Sequence, residues 1–313
     1  MSETGAGRAP AAIVVDSVSH TYPGGTVALD GVDLTIGRGL FGLLGPNGAG
    51  KSTLMRIICT LLAPTAGRVT VGGHDVVRDR AAIRERLGYL PQEFGAWRLH
   101  RVEEVLDAVA RLSGVRPRSR RRERVQAVLE AVGLTEVARR KVKKLSGGML
   151  RRLGVAQSLI HEPEFLVVDE PTVGLDPEER IRFRELMAAM ARERTIVLST
   201  HIVGDIGAGC RDIALLDAGA LVFRGSPEQL VAKARGRVFE LLVDAAHADV
   251  LPDGVEEVSR SADGAKVRIR AVSALAQLPA GARPLEQISL EEAYLAFMAA
   301  RGRADALQAE GAA

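Results

Sequence analysis

The chain has 313 residues, 47% of them hydrophobic, with 42 basic and 39 acidic side chains and a net charge of +3. That length accommodates one large domain and a smaller one with cores of their own, and the near balance of charge excludes a chain built to coat nucleic acid. The two cysteines, Cys59 and Cys210, form no metal or redox spacing, and the richest apolar stretch, Ile213 to Phe223, is broken by Asp217 and Gly219, so neither a disulfide scaffold nor a membrane span is expected.

In chain order, MSETGAGRAPAA lacks the charged and apolar regions of a signal peptide, which points to a cytoplasmic protein. Ile13 to Ile36, together with Arg68 to Val71, reads as an early antiparallel part. Leu40, Phe41, Leu43 and Leu44 then form a short apolar run, as a buried parallel strand should, and lead into GPNGAGKS at Gly45 to Ser52. Lys51 to Leu62 has few breakers and reads as a helix. Gly45, Gly48 and Gly50 let the backbone take φ > 0 and turn N–H groups inward, beside the positive end of the helix. Lys51 can then reach terminal phosphates and the Ser52 hydroxyl can ligate Mg²⁺. A glycine-rich turn ending by chance in Lys-Ser is the plain alternative, and the strand before it and helix after it argue against that.

A mainly helical insertion follows, at about residues 93–161. Val102, Val105, Leu106 and Val109, and again Val125, Val128, Leu129 and Val132, fall at i, i+3, i+4 and i+7. The basic run Arg116 to Arg124 between them suits phosphate or an acidic lipid surface, and equally the solvated face of a helix. LSGGM at Leu145 to Met149 opens a helix to about Ile160 with Met149, Leu153, Ala156 and Ile160 on one face. Ser146 is a good N-cap, so a purely structural reading exists. Two glycines straight after the cap are poor helix formers, however, and they suit a phosphate approaching the backbone there. Phe165 to Glu170, FLVVDE, is an apolar strand ending in two carboxylates; placed beside the strand of the phosphate loop, it offers Asp169 to Mg²⁺ and Glu170 to the attacking water as a base. Phe183, Leu186, Met187 and Met190 mark a helix that returns the chain to a strand at Thr195 to Leu198.

With Tyr22, GPNGAGKST at 45–53, Gln92 in YLPQE, LSGGM, FLVVDE, GLD at 174–176 and His201 after TIVLST in this order, residues 13–230 resemble the ATP-binding subunit of an ATP-binding cassette (ABC) transporter. The resemblance implies an α/β P-loop NTPase fold with an antiparallel β part and a helical subdomain, and hydrolysis of ATP with Mg²⁺. By that likeness Gly45, Pro46, Asn47, Gly48, Ala49, Gly50, Lys51, Ser52 and Thr53 cradle the nucleotide, and Tyr22 stacks on adenine. Ser52, Gln92 and Asp169 serve the metal; Glu170, His201, Lys51 and Gln92 serve catalysis, with His201 at the γ-phosphate and Gln92 also coupling to the membrane partner. Asp176 lies at the subunit interface, and Ser146, Gly147 and Gly148 close over the ATP of a second subunit, as in a homodimer. Met149 departs from the commoner Gln of the signature, while its Ser and glycines are intact.

The ATP-binding region extends to about residue 235, and residues 236–313 read as a small α+β accessory domain with a flexible tail. Val238 to Val243 suits a strand, Val255 to Arg260 and Lys266 to Arg270 flank Asp263-Gly264 as a hairpin, and Ser289 with Glu292 caps the helix SLEEAYLAFM. Similar endings are frequent in ATPases paired with drug, lipid or polysaccharide export permeases. The expectation is therefore a subunit at the cytoplasmic face of the membrane that powers a separate permease, with export favoured over import. A soluble ABC ATPase acting on nucleic acid or the ribosome is the rival class; one cassette, no long heptad coiled coil and no overall basic surface argue against it.

Overall fold

The computed structural model describes residues 13–95, 97–206, 209–244, 251–252, 254–274 and 278–302. The N-terminal stretch read for a signal peptide and the tail expected to be flexible lie outside the described residues. β1 (Ile13–Thr21) and β2 (Val27–Ile36) pair antiparallel with Ile13 opposite Ile36, and their buried Ile13, Val15, Val18, Val32 and Leu34 are interleaved with wetter positions. This is the pattern of a sheet with one solvated face. β3 (Gly39–Leu44) is buried on both faces, which explains its unbroken apolar run.

The phosphate-loop segment leads into α1 (Lys51–Ile58), which ends short of the expected Leu62. Thr60, at φ 61°, turns the chain: the N–H groups of Thr60 and Leu61 bond back to Ile57 O and Arg56 O at 3.0 and 2.9 Å. Arg84 Nε holds the turn by donating to Thr60 Oγ1 at 2.8 Å. β4 (Ala66–Val71) pairs antiparallel with β1, β5 (His74–Asp75) pairs with β4, and α2 (Arg80–Arg86) leads to β6 (Leu87–Leu90).

Three helices follow, α3 (Val102–Leu112), α4 (Arg118–Ala131) and α5 (Gly147–Leu159), and pack against one another. Their apolar stripes meet as the spacing predicts, with Val102, Val105, Leu106, Val125, Val128, Leu129, Leu153 and Ala156 all buried. Burying one such Val or Leu stabilises the fold by about 1.5–3 kcal/mol. β7 (Phe165–Asp169), α6 (Pro177–Met190), β8 (Thr195–Thr200), β9 (Cys210–Asp217) and β10 (Ala220–Gly225) complete this part.

Among the described residues the larger sheet runs β10-β9-β3-β8-β7-β6 and is parallel from β9 to β6. β8 lies between β3 and β7, with Ile196 opposite both Leu40 and Leu166. The acidic strand is therefore one strand removed from the strand of the phosphate loop, not beside it. The intervening place belongs to the strand that ends before His201. α1 is buried between the two sheets, its Leu54, Met55, Ile57 and Ile58 joining one core with Val15, Val69, Phe41, Val167 and Val197.

His161, just after α5, has Nε2 at 3.2 Å from Leu87 O. Burial lowers its pKa, the Leu87 carbonyl acts the other way, and Arg124 reinforces the lowering. The fold therefore favours the neutral ring, and the unfolded chain binds more protons once pH drops below the ordinary histidine value of about 6.5. Stability is fully present above that value and declines as pH falls through the folded pKa. Thermal melts between neutral and mildly acidic pH are expected to show this decline, with a smaller one in His161→Gln; an identical decline in the variant contradicts it.

The chain divides into compact units Met1–Arg224 and Gly225–Ala313. The break falls before α7 (Pro227–Ala234), not after Arg235, because this helix packs with the last helix of the second unit. β11 (Val238–Asp244) pairs with β13 (Lys266–Ser273), which forms a hairpin with β12 (Val255–Asp263); β14 (Arg283–Pro284) flanks β11. α8 (Leu290–Ala299) carries the expected capping box, with Ser289 Oγ accepting from Glu292 N at 3.1 Å and Glu292 Oε2 from Ser289 N at 2.7 Å. Phe239, Leu241, Ile269 and Ala271 form the core of this unit.

Candidate functional site

The candidate site lies at the C-terminal ends of β3, β8 and β7, where parallel sheets place their ligands. Gly45 and Gly50 stand at φ 151° and 101°, and a Cβ on either would come within 2.2 Å of Leu216 O or 2.4 Å of Ala28 O. Only glycine fits these two positions. Gly48, at φ 77°, has open space around its missing Cβ, and with Asn47 it forms the exposed tip of the loop, while Pro46 and Ala49 are buried. Gly219 N donates to Ala49 O at 3.1 Å and anchors the base of the loop. The loop is thus rigid below, open above, and continuous with the N–H groups of the first turn of α1, a ready anion cradle.

Lys51 is 5% exposed and folds back over this loop: Nζ donates to Gly45 O at 2.6 Å and to Pro46 O at 3.1 Å. It also pairs with Glu170 Oε1 at 3.4 Å. The other oxygen of Glu170 meets His201 Nδ1 at 2.6 Å. Glu170 itself has φ 46°, a left-handed backbone unusual for a glutamate, and its N–H donates to Ser199 O and Ser199 Oγ at 3.2 and 3.0 Å. Ser199 Oγ in turn donates to Asp169 Oδ1 at 2.5 Å. Cation, two carboxylates and imidazole thus form one connected cluster. With Nδ1–H donating to Glu170, a neutral His201 offers Nε2 only as an acceptor, so donation to a phosphate oxygen requires the protonated ring.

Tyr22 OH lies 3.1 Å from Thr53 Oγ1, which brings the ring to the first turn of α1, and its edge meets His20 with centroids 4.7 Å apart. Ser52 is half-buried in the same turn. Gln92 is exposed in the loop after β6, at the same end of the sheet as Asp169, since Leu90 stands opposite Val168. That loop is bound to α5: Arg151 donates to Pro91 O at 3.3 Å and lies 5.9 Å from the Phe94 ring, and a Cβ on Gly154 would strike the same ring at 2.8 Å.

Ser146, Gly147 and Gly148 sit at the start of α5 and make their contacts apart from the Lys51–Glu170–His201 cluster. Ser146 Oγ accepts from Met149 N at 3.2 Å, as an N-cap should. Gly148 has a reason inside the chain, because a Cβ there would lie 2.2 Å from Glu179 Oε2 on α6. Gly147 has none among the described residues: it is exposed, and the nearest of their atoms to an added Cβ is Gly174 O at 3.9 Å. Asp176 caps α6, its Oδ1 accepting from Glu179 N at 2.8 Å. Burial raises both thiols, Cys59 with Asp169 adding to it and Cys210 to about 12, so both are inert buried groups. Sequence reasoning missed Ser199; the signal available was a Ser-Thr pair ending an otherwise apolar strand.

A glycine loop, a buried lysine and an acidic strand end around one parallel sheet define a P-loop nucleotide-hydrolysing fold. The sequence model of the family described as ABC transporter matches residues 29–173. A daunorubicin resistance ATP-binding protein of Streptomyces coeruleorubidus is 41% identical over 230 residues, 73% of this chain and 72% of that protein. A linearmycin resistance ATP-binding protein of Bacillus subtilis is 33% identical over 223 residues, 71% of each. Among solved structures, an ATP-binding cassette captured as a dimer in a post-hydrolysis state with ADP and Pi superposes with a TM-score of 0.62 at 26% identity, over 68% of this chain and 98% of that one. The chain belongs to the ABC transporter family, as an ATP-binding subunit, and it is an ATPase.

Proposed function

We propose that this ATPase drives efflux through a separate membrane permease, working at the cytoplasmic face as a homodimer of head-to-tail copies that hold Mg·ATP between them. The observation that carries the reading is Gly147. A helix-weakening residue stands exposed at the start of α5, where no described residue comes close enough to exclude a side chain, which suits a phosphate arriving from a second copy. Among the described residues no helix is long and apolar enough to cross a membrane, and this reading assigns solute movement to a separate polypeptide. The direction rests on relatives named for daunorubicin and linearmycin resistance.

In this reading Lys51 leaves Gly45 O and Pro46 O for terminal phosphate oxygens, and the cradle N–H groups bind the rest. Glu170 accepts a proton from the water in line with the phosphate, and His201 steadies Glu170. Ser52, Gln92 and Asp169 would hold the Mg²⁺; a hydroxyl, an amide and a carboxylate form an all-oxygen set that fits a hard cation. That ion supplies charge neutralisation at the phosphates. Arg151 and Gly154 fasten α5 to the Gln92 loop, a route by which closure over nucleotide reaches the permease.

Tyr22→Ala is expected to weaken nucleotide binding by about 1–3 kcal/mol, since an aromatic face does the stacking. Tyr22→Phe keeps that face and loses only the bond to Thr53, so its affinity stays unchanged while stability falls by about 0.5–1.5 kcal/mol. Equal affinity losses in equilibrium titrations of the two variants remove the stacking role. The function is tested by the membrane protein that co-purifies in mild detergent and by transport in inverted vesicles. ATP-driven uptake into the lumen corresponds to export, ATP-driven loss of preloaded solute to import, and nucleic-acid-stimulated, salt-sensitive hydrolysis without a membrane partner to the soluble class.

A further inference from the structure

We propose that Asp205 is a positioning residue that fixes the base and the histidine of the hydrolytic site relative to each other; the inference rests on Glu170 being the base. Asp205 is 3% exposed, lies outside the motifs that define the family likeness, and follows β8 by five residues. Its Oδ2 accepts from two hydroxyls, Thr172 Oγ1 and, at 3.0 Å, Thr200 Oγ1. Thr172 stands two residues after Glu170, and Thr200 immediately precedes His201. Thr200 Oγ1 also accepts from Ile202 N at 2.9 Å, which ties down the far side of His201. One buried carboxylate oxygen therefore latches the loop that carries the base to the strand end that carries the imidazole.

A buried carboxylate is a demanding way to join two loops, because taking its charge out of water is unfavourable and an apolar residue would fill the space. Its presence is explained if geometry rather than packing is at stake. Glu170 holds a left-handed backbone that persists only where neighbours impose it, and its Oε2 must meet His201 Nδ1 at 2.6 Å. Ser199 constrains Glu170 from the backbone side, and the Asp205 latch constrains the residues that follow it. Both hydroxyls donate to the same oxygen, so an amide in place of the carboxylate keeps the acceptor, whereas alanine removes it.

The test is steady-state ATP hydrolysis by the full-length chain together with equilibrium ATP binding. Asp205→Ala is expected to lower kcat by about 10- to 100-fold, as misplacement of a reacting group does, with KM and ATP affinity within about twofold of the parent. Asp205→Asn is expected to recover most of that loss. In a Glu170→Gln background, Asp205→Ala is expected to cost nothing further, because the group it positions has already gone. A raised KM with normal kcat, or an undiminished loss in the Glu170→Gln background, overturns the inference. Should Asp205→Ala fail to fold, Thr172→Val removes one of the two donors and keeps the carboxylate; it is expected to lower kcat at constant KM, and normal turnover overturns the inference equally. Normal turnover of Asp205→Ala beside an inactive Glu170→Gln overturns the latch alone, while normal turnover of Glu170→Gln overturns the base assignment and the latch with it.

Discussion

Glu170→Gln is expected to bind ATP as well as the parent and to lose about 10² to 10⁴ in turnover, the usual contribution of a general base. In transition-state terms this is about 2.7–5.5 kcal/mol. The substitution keeps the shape of a side chain that is 4% exposed, and an amide oxygen can still face His201 where Oε2 now lies at 2.6 Å. What goes is the negative charge opposite Lys51 at 3.4 Å and the ability to take a proton. Loss of that charge frees the ammonium for phosphate, so binding does not suffer. Lys51→Ala, by contrast, removes the cation itself and weakens both binding and turnover. Equilibrium titration alongside steady-state hydrolysis separates the two, and a Glu170→Gln chain with normal turnover places the base elsewhere.

A mixed dimer of Lys51→Ala and Ser146→Arg chains is expected to regain one whole site, although each homodimer fails at both. The proposed reading gives the chain two anion-accepting helix starts: α1 with Lys51, paired with the Glu170 that also meets His201, and α5 with Ser146, whose hydroxyl accepts from Met149 N. If they complete each other across two copies, one pairing in the mixed dimer joins an intact loop to an intact LSGGM, and both defects collect in the other. Should the two act within one chain, mixing restores nothing. Two different tags isolate the mixed species, and single-turnover hydrolysis reads it without requiring both sites to cycle. Activity no higher than in the two mutant homodimers, with mixed dimers shown to form, counts against head-to-tail closure.

The cradle, the acidic strand end and the capped helix at Ser146 were legible because each is a contiguous segment whose chemistry depends on spacing along the chain. The same holds for the helical stripes at Val102 to Leu106 and Val125 to Leu129, and for the capping box at Ser289, where residue type and geometry coincide. Strand order is a different kind of information. Nothing in FLVVDE says that TIVLST is to lie between it and the phosphate loop, and the bonds that follow from that order, Ser199 to Asp169 and Thr172 to Asp205, span 30 and 33 residues. The early stop of α1 was hidden because a threonine, not a glycine, takes the left-handed position. Gly148 shows the converse: its motif is visible in sequence, yet its tight neighbour Glu179 is brought to it only by the fold.

The fold-back of Lys51 changes what an affinity measured on this chain means. The ammonium has three protons, and Gly45 O, Pro46 O and Glu170 Oε1 stand around it at 2.6, 3.1 and 3.4 Å. Any anion that recruits the lysine does so by substitution, so the observed binding free energy is the new contacts minus the ones given up. The three oxygens do not leave the site, and they compete for the lysine again as soon as a phosphate loosens its hold. In the proposed reading, a more highly charged phosphate offsets that loss better than a less charged one does.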